Sequence, residues 1–136
     1  MGFVLDSSVT LAWLMPDEDS SRVDALASRL EQESAEVPAI WSLEVANALL
    51  AALRRARIED AVVASWLRAL AALPINPDRA FGASELSEIV AIATQHGLTT
   101  YDACYLELAQ RRHLPLATLD RRLREACDAM GVAVLP

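Results

Sequence analysis

Short apolar runs alternate along this chain with longer stretches in which apolar residues recur every three or four positions. The first run, residues 2–5, is ended by Asp6, and residues 7–14 carry helical spacing until Pro16 stops them. Val23, Leu26, Ala27 and Leu30 give the same spacing to residues 19–33, and residues 36–38 then predict a second strand. Helices are expected over residues 41–55 and from residue 58 or 59 to 73, followed by a proline-flanked strand candidate at residues 73–76, of the kind tolerated at a sheet edge. Leu86, Ile89, Val90 and Ala93 predict a helix over residues 83–96 with Gly97 at its C-terminal cap. Thr99 or Thr100 can cap the next helix, which reaches residue 112. An apolar strand over residues 114–119 then ends in Asp120, residues 121–130 are helical, and residues 132–135 form a closing strand.

Strands that alternate with helices predict a parallel sheet, and strands this apolar predict one covered on both faces. The expected fold is α/β: one domain over residues 1–136, with a mostly parallel sheet of four to five short strands between two layers of helices. A chain of 136 residues buries about two-thirds of its unfolded surface and can fold alone. No apolar stretch approaches the roughly 18 residues needed to span a bilayer, and no signal segment opens the chain, so a cytoplasmic protein is expected. Hydrophobic residues make up 54%, rich for this length, which argues that a partner or a second copy covers some apolar surface. Cys104 and Cys127 form neither a disulfide framework nor a zinc motif and read as buried thiols of a reducing compartment.

Charge narrows the chemistry. The net charge is −7, so a polyanionic substrate is repelled overall and needs local basic patches or a bound cation to approach. All the basic residues are arginine, and the absence of lysine excludes Schiff-base chemistry and the strand-end lysine of a response-regulator receiver. A phosphatase of the haloacid-dehalogenase type needs a second aspartate two positions after its nucleophile, where this chain has Ser8.

Four acids remain. Asp6 and Asp120 are each the first charged residue after an apolar strand, and in open α/β sheets the reactive crevice lies beyond the carboxyl ends of the strands. Asp102 falls in the first turn of its helix, at the positive end of the dipole, and helix starts face the same edge. Glu44 is expected in the first turn of the helix over residues 41–55, between Ile40, Trp41, Leu43, Val45 and Ala48. Taken singly, Asp6 and Asp120 could cap helices, Asp102 could be an ordinary first-turn acid, and Glu44 a solvated charge. Taken together they predict one carboxylate cluster, which costs stability unless a cation neutralises it. A divalent ion, which accepts a few carboxylate oxygens with water and phosphate completing its shell, suits such a cluster.

Four motifs carry a family resemblance over essentially the whole chain: Phe3-Val4-Leu5-Asp6-Ser7-Ser8, Trp41-Ser42-Leu43-Glu44-Val45-Ala46-Asn47-Ala48-Leu49, Thr100-Tyr101-Asp102-Ala103-Cys104-Tyr105-Leu106-Glu107-Leu108-Ala109, and Leu116-Ala117-Thr118-Leu119-Asp120. In this order they resemble the PIN domain, and within it the VapC toxins of bacterial toxin–antitoxin pairs. The resemblance implies an endoribonuclease whose metal-binding acids are Asp6, Glu44, Asp102 and Asp120, with Ser8 and Thr118 as hydroxyls that orient the site. It further implies Mg²⁺, or Mn²⁺, as cofactor, RNA as substrate, a VapB-type antitoxin as partner, and homodimerisation.

Arg121, Arg122 and Arg124 follow Asp120, and Arg54, Arg55 and Arg57 end the helix that starts near Glu44. They read as solvated charge at helix ends or as phosphate contacts beside a metal, for which a planar guanidinium is suited. Arg111, Arg112 and His113 read as structural on the same argument, and Trp13, Trp41 and Trp66 as core or interface. Two other readings stay open: a metal-independent ribonuclease using His96 and His113 as acid and base, and a non-catalytic PIN-like binding module.

Overall fold

The computed structural model describes residues 2–15, 20–79 and 82–136; Asp17, Glu18 and Asp19, which the sequence suggests form an acidic turn after Pro16, lie outside them. Its strands are β1 (Phe3–Leu5), β2 (Ala35–Val37), β3 (Ile75–Pro77), β4 (Leu116–Ala117) and β5 (Val134–Leu135). All neighbouring strands pair in parallel, in the order β3-β2-β1-β4-β5. Its helices are α1 (Ser7–Leu14), α2 (Ser20–Arg29), α3 (Ile40–Arg54), α4 (Asp60–Ala71), α5 (Ala83–His96), α6 (Thr100–Arg112) and α7 (Arg121–Met130). The α/β class, the parallel sheet and the two helical layers are those the apolar pattern predicts.

Alternation along β1 divides the core. Phe3 and Leu5 face α1 and α2, where they join Val9, Ala12, Val23 and Leu26. Val4 points to the opposite face, toward Ile89, Leu106, Leu108 and Leu123 of α5, α6 and α7. The helices α3 and α4 pack beside this body through Leu14, Val45 and Leu49, and no residue of α4 is fully buried. Trp41 touches all three clusters while its indole N–H donates to the Thr10 hydroxyl at 3.0 Å, and the Trp13 indole donates to the Val23 carbonyl at 3.0 Å. These tryptophans are core residues, as expected. Burial also pushes the Cys104 thiol up to about 11 and that of Cys127 to about 12, so both are inert at neutral pH.

Helix α6 is the exception to amphipathic design: every residue from Ala103 to Ala109 is buried. A helix enclosed on all sides belongs to the interior, and Leu106 and Leu108 each contribute about 1.5–3 kcal/mol by leaving water. Its start is fixed by the Thr99 hydroxyl, which accepts from the Asp102 N–H at 3.1 Å. The preceding turn needs Gly97, whose φ of 64° places it in the left-handed region that closes α5.

The strands are shorter than expected. Hydrogen bonding explains the largest difference, because the N–H groups of Leu119 and Asp120 donate to side-chain hydroxyls instead of to a neighbouring strand. The proline-flanked strand does lie at the sheet edge, as β3, where a missing N–H at Pro77 costs no ladder bond. Among the described residues no helix is long and apolar enough to cross a membrane.

Candidate active site

β1 lies between β2 and β4 in the sheet, and at its carboxyl end the chain turns directly from Leu5 into α1, with Asp6 between them. Asp6 occupies the N-cap position of α1 yet makes no capping bond with its side chain. Its carboxylate is instead held by two hydroxyls: Ser8 donates to Oδ2 at 2.7 Å and Thr118 donates to the same oxygen at 2.6 Å. Both hydroxyls are themselves oriented. The Leu119 N–H donates to Ser8 Oγ and the Asp120 N–H to Thr118 Oγ1, each at 3.0 Å. An N–H can only donate, so each hydroxyl must accept there and direct its own proton at Asp6. The other carboxylate oxygen, Oδ1, has only a long 3.5 Å contact with the Ser7 hydroxyl.

Asp6 is 5% exposed. Burial raises its pKa, the Ser8 and Thr118 hydrogen bonds work against that rise, and the charges of Asp102 and Asp120 add to it. Glu44 and Asp102 are half-buried and shift the same way. For Glu44, burial comes first, opposed by the Tyr105 hydroxyl and reinforced by Asp6 and Asp102. For Asp102, burial comes first, opposed by Thr99, reinforced by Asp120 and offset in part by Arg122. Asp120 lies at the exposed rim and accepts from the Leu123 N–H at 3.0 Å as the N-cap of α7.

The acids that the sequence singles out are thus linked electrostatically: Asp6 with Glu44, Asp102 and Asp120, and Asp102 with Glu44 and Asp120. No arginine hydrogen-bonds to any of them among the described residues. Nor, among those residues, are three acidic, histidine or cysteine side chains already drawn to cation-binding distance. Glu44 and Asp102 are half-buried and Asp120 is exposed, whereas Asp6 is buried and fastened by its two hydroxyls. Glu44 departs from its expected place by one residue, because α3 begins at Ile40 and puts it just past the first turn.

Two functional candidates escape sequence reasoning. The Tyr105 hydroxyl donates to Glu44 Oε1 at 2.5 Å, and the Ser7 hydroxyl reaches both Glu44 and Tyr105. Tyr105 is fully buried, and burial together with the nearby Asp6 and Glu44 charges keeps it protonated and therefore a donor. Its only sequence signal is a polar tip within the apolar run of α6.

A second charged cluster lies at the far end of α6. Asp78, 8% exposed, accepts from Arg111 at 2.5 Å and from Arg112 at 2.8 Å, and Arg111 also pairs with Glu107 at 2.7 Å. Burial alone would raise the Asp78 pKa, but the two guanidinium groups overturn it and lower the value. Arg111 and Arg112 are structural, as expected.

The remaining arginines divide. Arg124 is committed to the carbonyls of Thr118, Leu135 and Pro136, and Arg121 to Glu125. Arg54 and Arg55 end α3, about 15 Å of helix rise from Glu44. His96 ends α5 and His113 caps the end of α6, so the length of α6, about 20 Å, separates the two rings. They cannot act as an acid and base on one phosphate.

The family described as the PIN domain matches residues 3–129. The chain is similar to Ribonuclease VapC3 of Pyrobaculum aerophilum, at 31% identity over 96% of this chain and 98% of that one. Among solved structures it resembles PAE2754 from Pyrobaculum aerophilum, with a TM-score of 0.71 and 24% identity over 98% of this chain and 83% of that one. It also resembles a chain of a toxin–antitoxin complex from Klebsiella pneumoniae, with a TM-score of 0.58 and 19% identity over 87% of this chain and 86% of that one. At these identities the two structures share the fold.

Proposed function

The chain belongs to the PIN-domain family and is a homologue of the VapC ribonucleases within it, and from that premise we propose that it is a divalent-cation-dependent endoribonuclease acting at Asp6, Glu44, Asp102 and Asp120. The observation that carries this reading is the unbalanced charge of the site. A buried carboxylate, gripped by two oriented hydroxyls, lies among three further carboxylates with no arginine bonded to any of them. Such oxygen-only donors fit a hard cation, and Asp6 and Asp102 would hold it, with Glu44 and Asp120 binding directly or through water. Mg²⁺ or Mn²⁺ bound there supplies positive charge that acidifies water and stabilises a leaving oxygen.

The chain's own groups supply the rest. Ser8 and Thr118 keep Asp6 from rotating, so that Oδ1 remains the oxygen presented outward. Tyr105 fixes Glu44 through Oε1, and a carboxylate of raised pKa is the better proton acceptor for an attacking water. Thr99 holds the start of α6, and with it Asp102, against the same edge. By likeness to toxin–antitoxin complexes, a protein antitoxin is the expected regulatory partner. Leu43, Leu86, Val90 and Tyr101, all at least half exposed, offer apolar surface for a second copy.

Purified protein incubated with mixed RNA tests the reading. Cleavage should appear with Mg²⁺ or Mn²⁺, vanish in chelator and return on readdition of the ion. Undiminished cutting in chelator would overturn the metal site, and no cutting under any condition would overturn the ribonuclease.

A further inference from the structure

The acid cluster poses a problem for an RNA substrate: even with one divalent ion bound, four carboxylates leave it net negative, in a chain that carries −7 overall. A polyanion needs a local cation at the rim. The chain has 12 basic residues, all arginine, and most are committed. Arg29 pairs with Glu33, Arg79 with Glu85, Arg111 and Arg112 with Asp78, and Arg121 with Glu125. Arg124 is taken by three carbonyls, and Arg22 has a partner of its own. Arg54, Arg55 and Arg57 lie at the far end of α3, and Arg68 lies on α4. Arg122 alone is both close enough to influence Asp102 and, among the described residues, without a hydrogen bond or ion pair.

Arg122 also lines a cleft. With His96, Gly97, Glu125 and Ala126 it borders an open space of about 280 Å³ between the end of α5 and the first two turns of α7. Both walls run straight into the acid cluster: residues 97–99 lead from His96 to the helix bearing Asp102, and Arg122 stands two positions after Asp120. Glu125, the one acid lining the cleft, pairs through one carboxylate oxygen with the exposed Arg121 at 3.2 Å.

We propose that this cleft is a phosphate subsite, in which Arg122, assisted by His96, holds a backbone phosphate of single-stranded RNA next to the one at the acid cluster. The inference rests on the ribonuclease reading. A guanidinium can grip a phosphate with two N–H donors, and such contacts set the register of a strand without reading its bases.

Anisotropy of a labelled single-stranded RNA, measured in an Asp6→Asn background that prevents cutting, tests it. Adding Arg122→Ala should weaken binding about five- to ten-fold and lower the slope of log K against log salt by about 0.7, one single-strand phosphate contact. Arg122→Lys should recover part of the loss, and His96→Ala should show a smaller one. With Asp6 restored, Arg122→Ala should raise KM and leave kcat close to the parent value. Arg68→Ala removes the same charge elsewhere and should change nothing. Equal effects of Arg122→Ala and Arg68→Ala, or no effect of either, would overturn the subsite. Failure of the parent protein to cut RNA is the separate result that removes the underlying reading.

Discussion

The two ends of α6 hold buried carboxylates in opposite ways. At the C-terminal end, Asp78 and Glu107 are matched by Arg111 and Arg112 in direct contact, and the Asp78 pKa falls. At the N-terminal end, Asp6, Glu44 and Asp102 have hydroxyls but no contacting cation, and all three pKa values rise. Carboxylates gathered at the two ends of one helix therefore do different things. The balanced cluster is complete within the fold, while the unbalanced one stores a demand for positive charge that something outside the chain must meet. A region whose polar groups are all mutually satisfied reads as structure; one left deliberately short of charge reads as a binding site.

Substitutions at the two ends should separate stability from activity. The largest effect expected is on catalysis: Asp6→Asn should cut RNA cleavage about a thousand-fold, near 4 kcal/mol in barrier. It should also leave the melting temperature unchanged or higher, since a desolvated charge is gone. A marked fall in melting temperature would break the contrast. Arg111→Met should do the reverse, costing roughly 2–4 kcal/mol in a denaturant titration by leaving Asp78 and Glu107 undercompensated, with the folded fraction still active.

Titration should sharpen the contrast further. Because the acid cluster binds protons more tightly folded than unfolded, its stabilising contribution is complete below the ordinary values of 3.8 for Asp and 4.5 for Glu, and is lost as pH rises through the elevated folded values. Asp78 runs the other way: its contribution is present above 3.8 and is lost as pH falls through its lowered value. Without divalent ion, thermal stability should therefore rise on acidification from pH 7 to about 4 and drop below that, by on the order of 1 kcal/mol after discounting the half-exposed Glu44 and Asp102. A monotonic loss from neutrality downward would contradict it. The smallest effect expected is that of Tyr105→Phe, about ten-fold in cleavage rate and about 1 kcal/mol in stability, measured by initial rates and by melting.

Much of this was legible in the sequence because the grammar involved is local. An acid directly after an apolar run marks the carboxyl edge of a parallel strand, which placed Asp6 and Asp120, and a capping threonine three residues upstream placed Asp102. The position of Glu44 slipped by one residue, past the first turn, because α3 starts at Ile40, one residue before the tryptophan that the sequence suggested. What was hidden is long-range. Tyr105 meets Glu44 across 61 residues, and Arg111 meets Asp78 across 33. No spacing rule reaches that far. Nor could proximity to Asp120 reveal that Arg124 is spent on carbonyls while Arg122, two positions away, is not. That distinction depends on which side of α7 faces the final strand.

The asymmetric grip on Asp6 bears on which ion the pocket prefers. With Oδ2 tied to Ser8 and Thr118, the group offers a single donor oxygen, Oδ1, and cannot swing to clasp a visitor with both oxygens. Calcium often exploits such two-oxygen clasps to fill its large, irregular shell, whereas magnesium is content with single-point ligands arranged octahedrally and waters elsewhere. On the proposed metal-dependent reading, a tethered carboxylate would act as a size filter, tilting the pocket toward the smaller dication.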